Sequence, residues 1–452
     1  MSNEVIWISL SSITSIVKEY YGVSSIAVNW LSMIYMLFYV FVGLAAYTLD
    51  RKGIKFTIMI GAVLNGLGSC LRLIGSNRNG FLFAFLGNAS AALAQCFILF
   101  VPPSLAASWF GDNERATATA IGVLMNMLGV AVGFLMGAIM VPSSDDYDGV
   151  VRRGIFTTLL AQAIFCTLMV VLCAILVKDA PNSPPSMSQY QILKSKQKKL
   201  LSKKMNKEGK DKTKEEKTDQ SNEDHINVMS FSQSLKQLAC DKMFNLVTQA
   251  YGIYFGLFGA YNTVLNQLCM NHFPGKEKEI GLMGFTSVIL GLVGIFLAGV
   301  WLDRTKRYKS VSVTTFLCCA LTMLLFTFLL VYINNFKLVY TSFCLFGFFS
   351  YPYMTVGLEH AAELTYPISE GITSGILLLV GNMYAIILTY ICGAIIEKGR
   401  SDVAGYVMTS LYVVGLITVA VMKGELKRLK IDQTKSREKE NIDSKPVCCT
   451  KL

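Results

Sequence analysis

The chain has 452 residues, of which 53% are hydrophobic and only 16% charged, and its mean hydropathy is positive at +0.48. A soluble domain carries about 25% charged residues, so the shortfall excludes an ordinary water-soluble globule and points to membrane spans. The net charge of +11 is concentrated between Lys178 and Lys242 and after Lys423, flanking apolar runs, which reads as a topology signal and not as a nucleic-acid surface.

The opening stretch, MSNEVIWISL, lacks the basic region and small-residue cleavage site of a cleaved signal. The apolar run 4–17 is shorter than the roughly 20 residues that a helical span needs, so it is expected to cross only as part of the first group of helices. Further runs long enough to span lie at 27–49, 54–74, 81–102, 117–141, 155–178, 243–268, 280–301, 310–333, 338–358, 371–396 and 404–422.

The basic hairpins at 50–55, 111–116 and 303–309, the segment 179–242 and the tail are expected to face the cytoplasm. The alternate loops are weaker or acidic, as in Ser143–Asp148. That assignment gives twelve helices in two six-helix halves. The expected layout is an N-terminal half at 1–178, a basic linker at 179–242, a C-terminal half at 243–422 and a cytoplasmic tail at 423–452. The linker's prolines (Pro181, Pro184, Pro185) and lysines cannot bury a core, so disorder or a surface helix is expected there. Cys448 and Cys449 suit palmitoylation.

Two stretches, Leu44–Lys55 (LAAYTLDRKGIK) and Ala298–Lys309 (AGVWLDRTKRYK), each close an apolar run with Leu-Asp-Arg. This repeat suggests two similar halves joined head to tail. Asp50 and Arg51, with Asp303 and Arg304, are expected to form a gate on the basic face. Glu114, Arg115, Glu359, Glu363 and Glu370 offer partners there.

Chemistry-bearing side chains are sparse. The predicted spans show no Asp or Glu at mid-membrane, and Arg72 falls near a helix end where it can snorkel. There is no Ser-His-Asp constellation, no metal-ligand spacing among the three histidines and no cofactor motif, so an enzyme is not expected. The interior instead offers aromatics and neutral polar groups: Trp7, Tyr35, Met36, Gln95, Asn126, Phe258, Tyr261, Gln267 and Asn382. A buried amide needs a partner or a cavity. An interior without carboxylates favours a facilitative carrier over a proton-coupled one.

Particular stretches carry a closer resemblance: Tyr21-Gly22, Trp30–Met36 (WLSMIYM), Ala94–Leu99 (AQCFIL), Pro103–Gly111 (PSLAASWFG), Leu128–Phe134 (LGVAVGF), Leu265–Gln267 (LNQ), Glu363–Pro367 (ELTYP) and Ser369–Gly371 (SEG). With the hairpin repeat, they make the chain resemble the feline leukaemia virus subgroup C receptor-related transporters of the major facilitator superfamily. The resemblance implies an all-α, twelve-helix major facilitator fold, its first helix apparently shortened at Met1.

It also implies a plasma-membrane carrier, monomeric and without a cofactor, that moves choline or ethanolamine by alternating access; haem export has also been attributed to the family. The cargo's ammonium would sit against the helix-1 tryptophan, which falls on Trp7, with the helix-4 glutamine on Gln95 and a Tyr-Met pair on Tyr35 and Met36. The family's helix-7 tyrosine falls on Gly259, leaving Phe258 or Tyr261 to replace it, and the helix-11 glutamine falls on Asn382. An aromatic cage suits a quaternary ammonium, which an aromatic ring attracts by roughly 0.5–2 kcal/mol. The alternative readings are haem export, a non-transporting receptor, or transport of another small organic solute.

Overall fold

A computed structural model describes residues 1–422 apart from 100, 112–113, 145, 180, 182–230, 306, 366–367 and 369. Most of the linker and the whole tail, with Cys448 and Cys449, lie outside the described residues. The described chain is almost entirely helical. The first pass is made by α1 (Ser2–Ser9) and α2 (Thr14–Tyr21), and the second by α3 (Ser25–Phe38) and α4 (Val42–Lys52). Next come α5 (Ile54–Ile74), then α6 (Phe81–Ile98) with α7 (Val101–Trp109), then α8 (Arg115–Met140) and α9 (Arg152–Leu176). After the short α10 (Phe231–Cys240), the second half runs through α11 (Lys242–Met270), α12 (Glu277–Thr305) and α13 (Tyr308–Phe328). It closes with α14 (Phe336–Ser350) and α15 (Tyr353–Thr365) in one pass, then α16 (Glu370–Glu397) and α17 (Ser401–Val421).

Local chemistry sets several of these boundaries. Asp241 caps α11, accepting from the backbone N–H groups of Met243 at 2.8 Å and Phe244 at 3.2 Å. Asn335 caps α14 through Lys337 N–H at 3.1 Å, and Ser24 caps α3 through Ala27 N–H at 3.2 Å. Each such cap satisfies donors that the first helical turn leaves open. The predicted single run 338–358 is two helices, because Pro352 has no N–H to continue the first one. The first pass is longer than the apolar run 4–17. Its polar end is tied down by Tyr20 Oη donating to Ser76 O at 2.7 Å and Tyr21 Oη donating to Gly75 O at 2.9 Å.

Nine helical segments among the described residues are long and apolar enough to span a membrane. Their outer faces carry large exposed apolar side chains, such as Leu82, Ile175 and Phe296. In water such a surface would be unfavourable; against lipid it is required. The first pass and the α14–α15 pass fall outside those nine because each is broken into two shorter helices. The long α11 falls outside for a positional reason: every residue from Gly256 to Cys269 is buried. A helix wrapped by protein does not need an apolar face, so hydropathy understates it.

Arg72 does not snorkel. It is fully buried and donates to Gln162 Oε1 at 2.8 Å, to Ile6 O at 3.3 Å and to Ser9 Oγ at 3.3 Å. The close approach of α5 and α6 encloses it. A β-carbon on Gly68 would stand 2.6 Å from Gly87 O, so two glycines let the backbones meet and leave the guanidinium facing α1 and α9.

Among the described residues, hydrogen bonds join the two halves at the end away from the Asp50 and Asp303 hairpins. Ser15 N–H donates to Asn266 Oδ1 at 3.0 Å, and Ser25 N–H donates to Glu397 Oε1 at 3.2 Å. Gln267 Nε2 donates to Asn29 Oδ1, and Ser143 Oγ donates to Glu277 Oε2. These bonds draw the far end together.

Candidate functional site

The seam between the halves holds a cavity of about 90 Å³. From the first half it is lined by Glu4, Trp7, Tyr35, Met36, Tyr39, Gln95, Leu99, Asn126, Met127 and Val130, and from the second by Phe255, Phe258, Gly259, Met354, Leu378 and Asn382. A larger cleft of about 770 Å³ lies among α5, α7 and α8 near Glu114, but its walls are mostly apolar and belong to one half. Of these two, the smaller cavity lies on the seam across which a cargo would pass.

The first pass is positioned by polar contacts. Asn3 Nδ2 donates to Asn65 Oδ1 at 2.9 Å and to Ala91 O at 2.7 Å. Ser32 Oγ donates to Trp7 O at 3.3 Å and also bonds Ser11 Oγ at 2.6 Å. These bonds hold α1 against α3, α5 and α6, with Glu4 and Trp7, three residues apart, turned to the same side.

Trp7, Tyr35, Met36, Gln95, Asn126, Phe258 and Asn382 are brought together around the cavity. Tyr261 and Gln267 are placed elsewhere. Tyr261 stands behind Phe258, edge-on to it at 5.6 Å between centroids, and shares a hydrogen bond with Ser350 Oγ at 3.2 Å. Tyr351 packs edge-on against Phe258 from another side at 5.2 Å. Of the two residues beside Gly259, Phe258 therefore faces the cavity while Tyr261 braces it. Gln267 belongs to the contacts that join the halves through Asn29.

The reading that the interior lacks carboxylates is corrected by Glu4. Its side chain is 4% exposed, lines the cavity beside Asn126 and accepts from Gln95 Nε2 at 3.0 Å. Glu4 stands at the edge of the apolar run, where a charge reads as flanking. Its spacing from Trp7 is the one signal that places both on one helix face. Tyr39, Phe255, Met127 and Met354 also line the cavity and were not singled out by sequence.

Trp7 Nε1, Tyr35 Oη and Tyr39 Oη are buried and have no hydrogen-bond partner among the described residues. All three belong to residues that line the cavity. These three atoms are packed against protein, so in this conformation Trp7, Tyr35 and Tyr39 offer the cavity ring surface and not their polar atoms. Aromatic faces attract an organic cation through the ring quadrupole, and the amides of Gln95, Asn126 and Asn382 suit a small polar tail.

The gate residues spread along the opposite end. Arg51, Glu114, Arg304 and Glu359 are exposed and Glu363 is buried. The Arg51 guanidinium lies 5.5 Å over the Tyr47 ring. The side chains of Asp50, Arg115, Asp303 and Glu370 lie outside the described residues.

Comparison with known proteins agrees with this architecture. A profile of the Major Facilitator Superfamily matches residues 2–220 and 247–447. The chain is 33% identical over 434 residues to the choline/ethanolamine transporter flvcr2a of Danio rerio, covering 96% of this chain and 86% of that one. It is 32% identical over 449 residues to the choline/ethanolamine transporter FLVCR2 of Homo sapiens, covering 98% and 78% respectively. Among solved structures, the inward open conformation of the xylose transporter XylE from E. coli superposes with a TM-score of 0.65 at 14% identity, covering 94% of this chain and 95% of that one. A point mutant of the nucleoside transporter NupG superposes at 0.64 with 12% identity, covering 93% and 97%.

Proposed function

The chain belongs to the Major Facilitator Superfamily, in the branch of the feline leukaemia virus subgroup C receptor-related transporters, and from that premise we propose that it carries choline and ethanolamine by alternating access. It is an integral, multi-pass transporter. The observation that supports this cargo is the cavity on the seam, walled by Trp7, Tyr35, Tyr39, Phe255 and Phe258. The amides of Gln95, Asn126 and Asn382 offer a place for the cargo's hydroxyl beside rings that attract its ammonium.

The same reading treats residues 1–178 and 243–422 as the two moving halves, with 179–242 as the linker and 423–452 as the tail. The basic hairpins, linker and tail face the cytoplasm of the plasma membrane, and the carrier acts as a monomer. Asp50, Arg51, Asp303 and Arg304, with Glu114, Arg115, Glu359, Glu363 and Glu370, form the gate at that face. The bonds of Ser15 with Asn266 and of Asn29 with Gln267 hold the opposite face together, which corresponds to a cavity reached from the basic side. The expectation of uncoupled, facilitated movement rested on an interior without carboxylates, and Glu4 removes that ground.

Haem draws little support from this site. An apolar cavity of about 150 Å³ accommodates one benzene, and a porphyrin is several times larger than that; this cavity measures about 90 Å³.

Uptake of radiolabelled choline and ethanolamine into cells expressing the full chain tests the proposal. Uptake above mock-transfected cells that falls in Trp7→Ala supports it. Uptake no greater than in mock cells overturns the cargo, and equal uptake by wild type and Trp7→Ala overturns the role of the aromatic site.

A further inference from the structure

Glu4 is the one carboxylate among the described residues that line the central cavity. The Gln95 amide donates to it at 3.0 Å, and Asn126 lines the cavity beside it. A carboxylate has about four acceptor sites, so one amide leaves acceptor capacity for a guest. A buried carboxylate is stable when a positive group completes its hydrogen bonding, and ionisable side chains inside a membrane bundle mark cargo or ion pathways. Arg72, buried in the same half, spends its described hydrogen bonds on Gln162, Ile6 and Ser9.

The type of cation that gains most from Glu4 follows from hydrogen bonding. A quaternary ammonium has no N–H, so it takes only the Coulomb attraction and the ring faces. A protonated primary amine takes both of these and adds charge-assisted N–H···O bonds, which are about twice as strong as neutral ones. Size points the same way. If about 150 Å³ holds the six heavy atoms of benzene, a cavity of about 90 Å³ holds about four. Ethanolamine has four heavy atoms and choline has seven.

Resting on the transport reading above, we infer that Glu4 is a specificity residue that binds the ammonium N–H groups of a primary amino alcohol and sets a preference for it over its quaternary counterpart. Trp7 and Phe258 shield the alkyl part of such a cargo.

The test measures uptake of ethanolamine, N-methylethanolamine, N,N-dimethylethanolamine and choline by cells expressing the full chain, beside Glu4→Gln. In the wild type, uptake efficiency should fall along the series as methyl groups replace N–H. In Glu4→Gln the ethanolamine-to-choline ratio should drop at least tenfold, with surface biotinylation and a monodisperse size-exclusion profile reporting that the variant is folded and at the membrane. A wild-type series that is flat or rises towards choline overturns the inference. So does a Glu4→Gln variant that lowers all four by one factor, the result expected if the nearby amino group of Met1, which also feels this carboxylate, already neutralises it. If Glu4→Gln does not reach the membrane, the wild-type series alone decides. Failure of all four to enter above mock cells is a separate result that overturns the transport reading itself.

Discussion

The methyl end of Met36 stands 2.6 Å from where a β-carbon on Gly259 would lie, and Ala385 Cβ is 2.9 Å from the same point. The glycine is therefore an opening in α11 that Met36 fills from the other half of the molecule. The resemblance to the feline leukaemia virus subgroup C receptor-related transporters would put an aromatic side chain at this position. Here the space is taken, and Phe258, one residue earlier, supplies the ring. Gly259→Ala should reduce thermal stability, and Met36→Ala should restore part of the loss by vacating the contact. The expected coupling between the two is above about 0.5 kcal/mol, measurable as a non-additive change in the double variant's melting behaviour in detergent. Additive effects would show that the residues do not share this space.

Trp7 presents its ring to the cavity with no partner for its N–H among the described residues. A cation–ring contact contributes roughly 0.5–2 kcal/mol. Trp7→Ala should therefore raise the choline concentration for half-maximal uptake about 2- to 30-fold, while Trp7→Phe, which keeps an aromatic face, should lose less. Equivalent behaviour of the two variants would argue that volume and not the ring matters.

Arg72 ties α5 to α1 and α9 through three acceptors. Hydrogen bonds to a charged group contribute about 1.5–3 kcal/mol each, and an abandoned buried acceptor carries a further penalty. Arg72→Ala should lower the yield of monodisperse protein sharply on size-exclusion chromatography. Arg72→Met with Gln162→Leu, which removes donor and acceptor together, should recover part of it. No recovery would mean that the charge itself has a further role.

The bonds between Asn29 and Gln267 and between Ser15 and Asn266 hold the halves together at one end. A neutral hydrogen bond contributes about 0.5–1.5 kcal/mol net, so removing one moves an opening equilibrium by about 2- to 13-fold. Asn29→Ala should increase labelling, from that face, of a cysteine placed at Ser11, which is fully buried here. The reagent is a membrane-impermeant maleimide, and the chain lacking the introduced cysteine gives the background. Unchanged labelling would show that these bonds do not govern opening.

Much of the fold is legible in the sequence because lipid imposes a simple rule on the helices that touch it. Runs such as 310–333 and 404–422 contain no charged residue, and α13 and α17 fall on them. What escapes are the residues whose surroundings are set by other helices. Glu4 reads as a flanking charge until Gln95 and Asn126 are placed beside it. Arg72 reads as snorkelling until two glycines bring α5 against α6. Tyr261 and Phe258, three residues apart, share a side of α11, and only the neighbours supplied by α14 decide between them: Phe343, Phe346 and Ser350 take Tyr261, and Phe258 is left to the cavity. Contacts made by other helices are not encoded in the local pattern of α11.

The enclosure of α11 has a consequence for how the molecule is made. A segment enclosed by protein from Gly256 to Cys269 has little reason to enter a bilayer by itself, since each polar side chain such as Asn262, Asn266 and Gln267 opposes partition into hydrocarbon. Residues 242–270 should therefore insert poorly as an isolated segment in a glycosylation-mapping assay, whereas Ser401–Val421 should insert well. During synthesis α11 must be held at the translocon until neighbours such as α16 arrive to receive it. The feature that keeps the centre of the carrier polar enough to hold a guest thus makes its biogenesis cooperative, so that substitutions in α16 should act on the insertion of a helix completed about a hundred residues earlier.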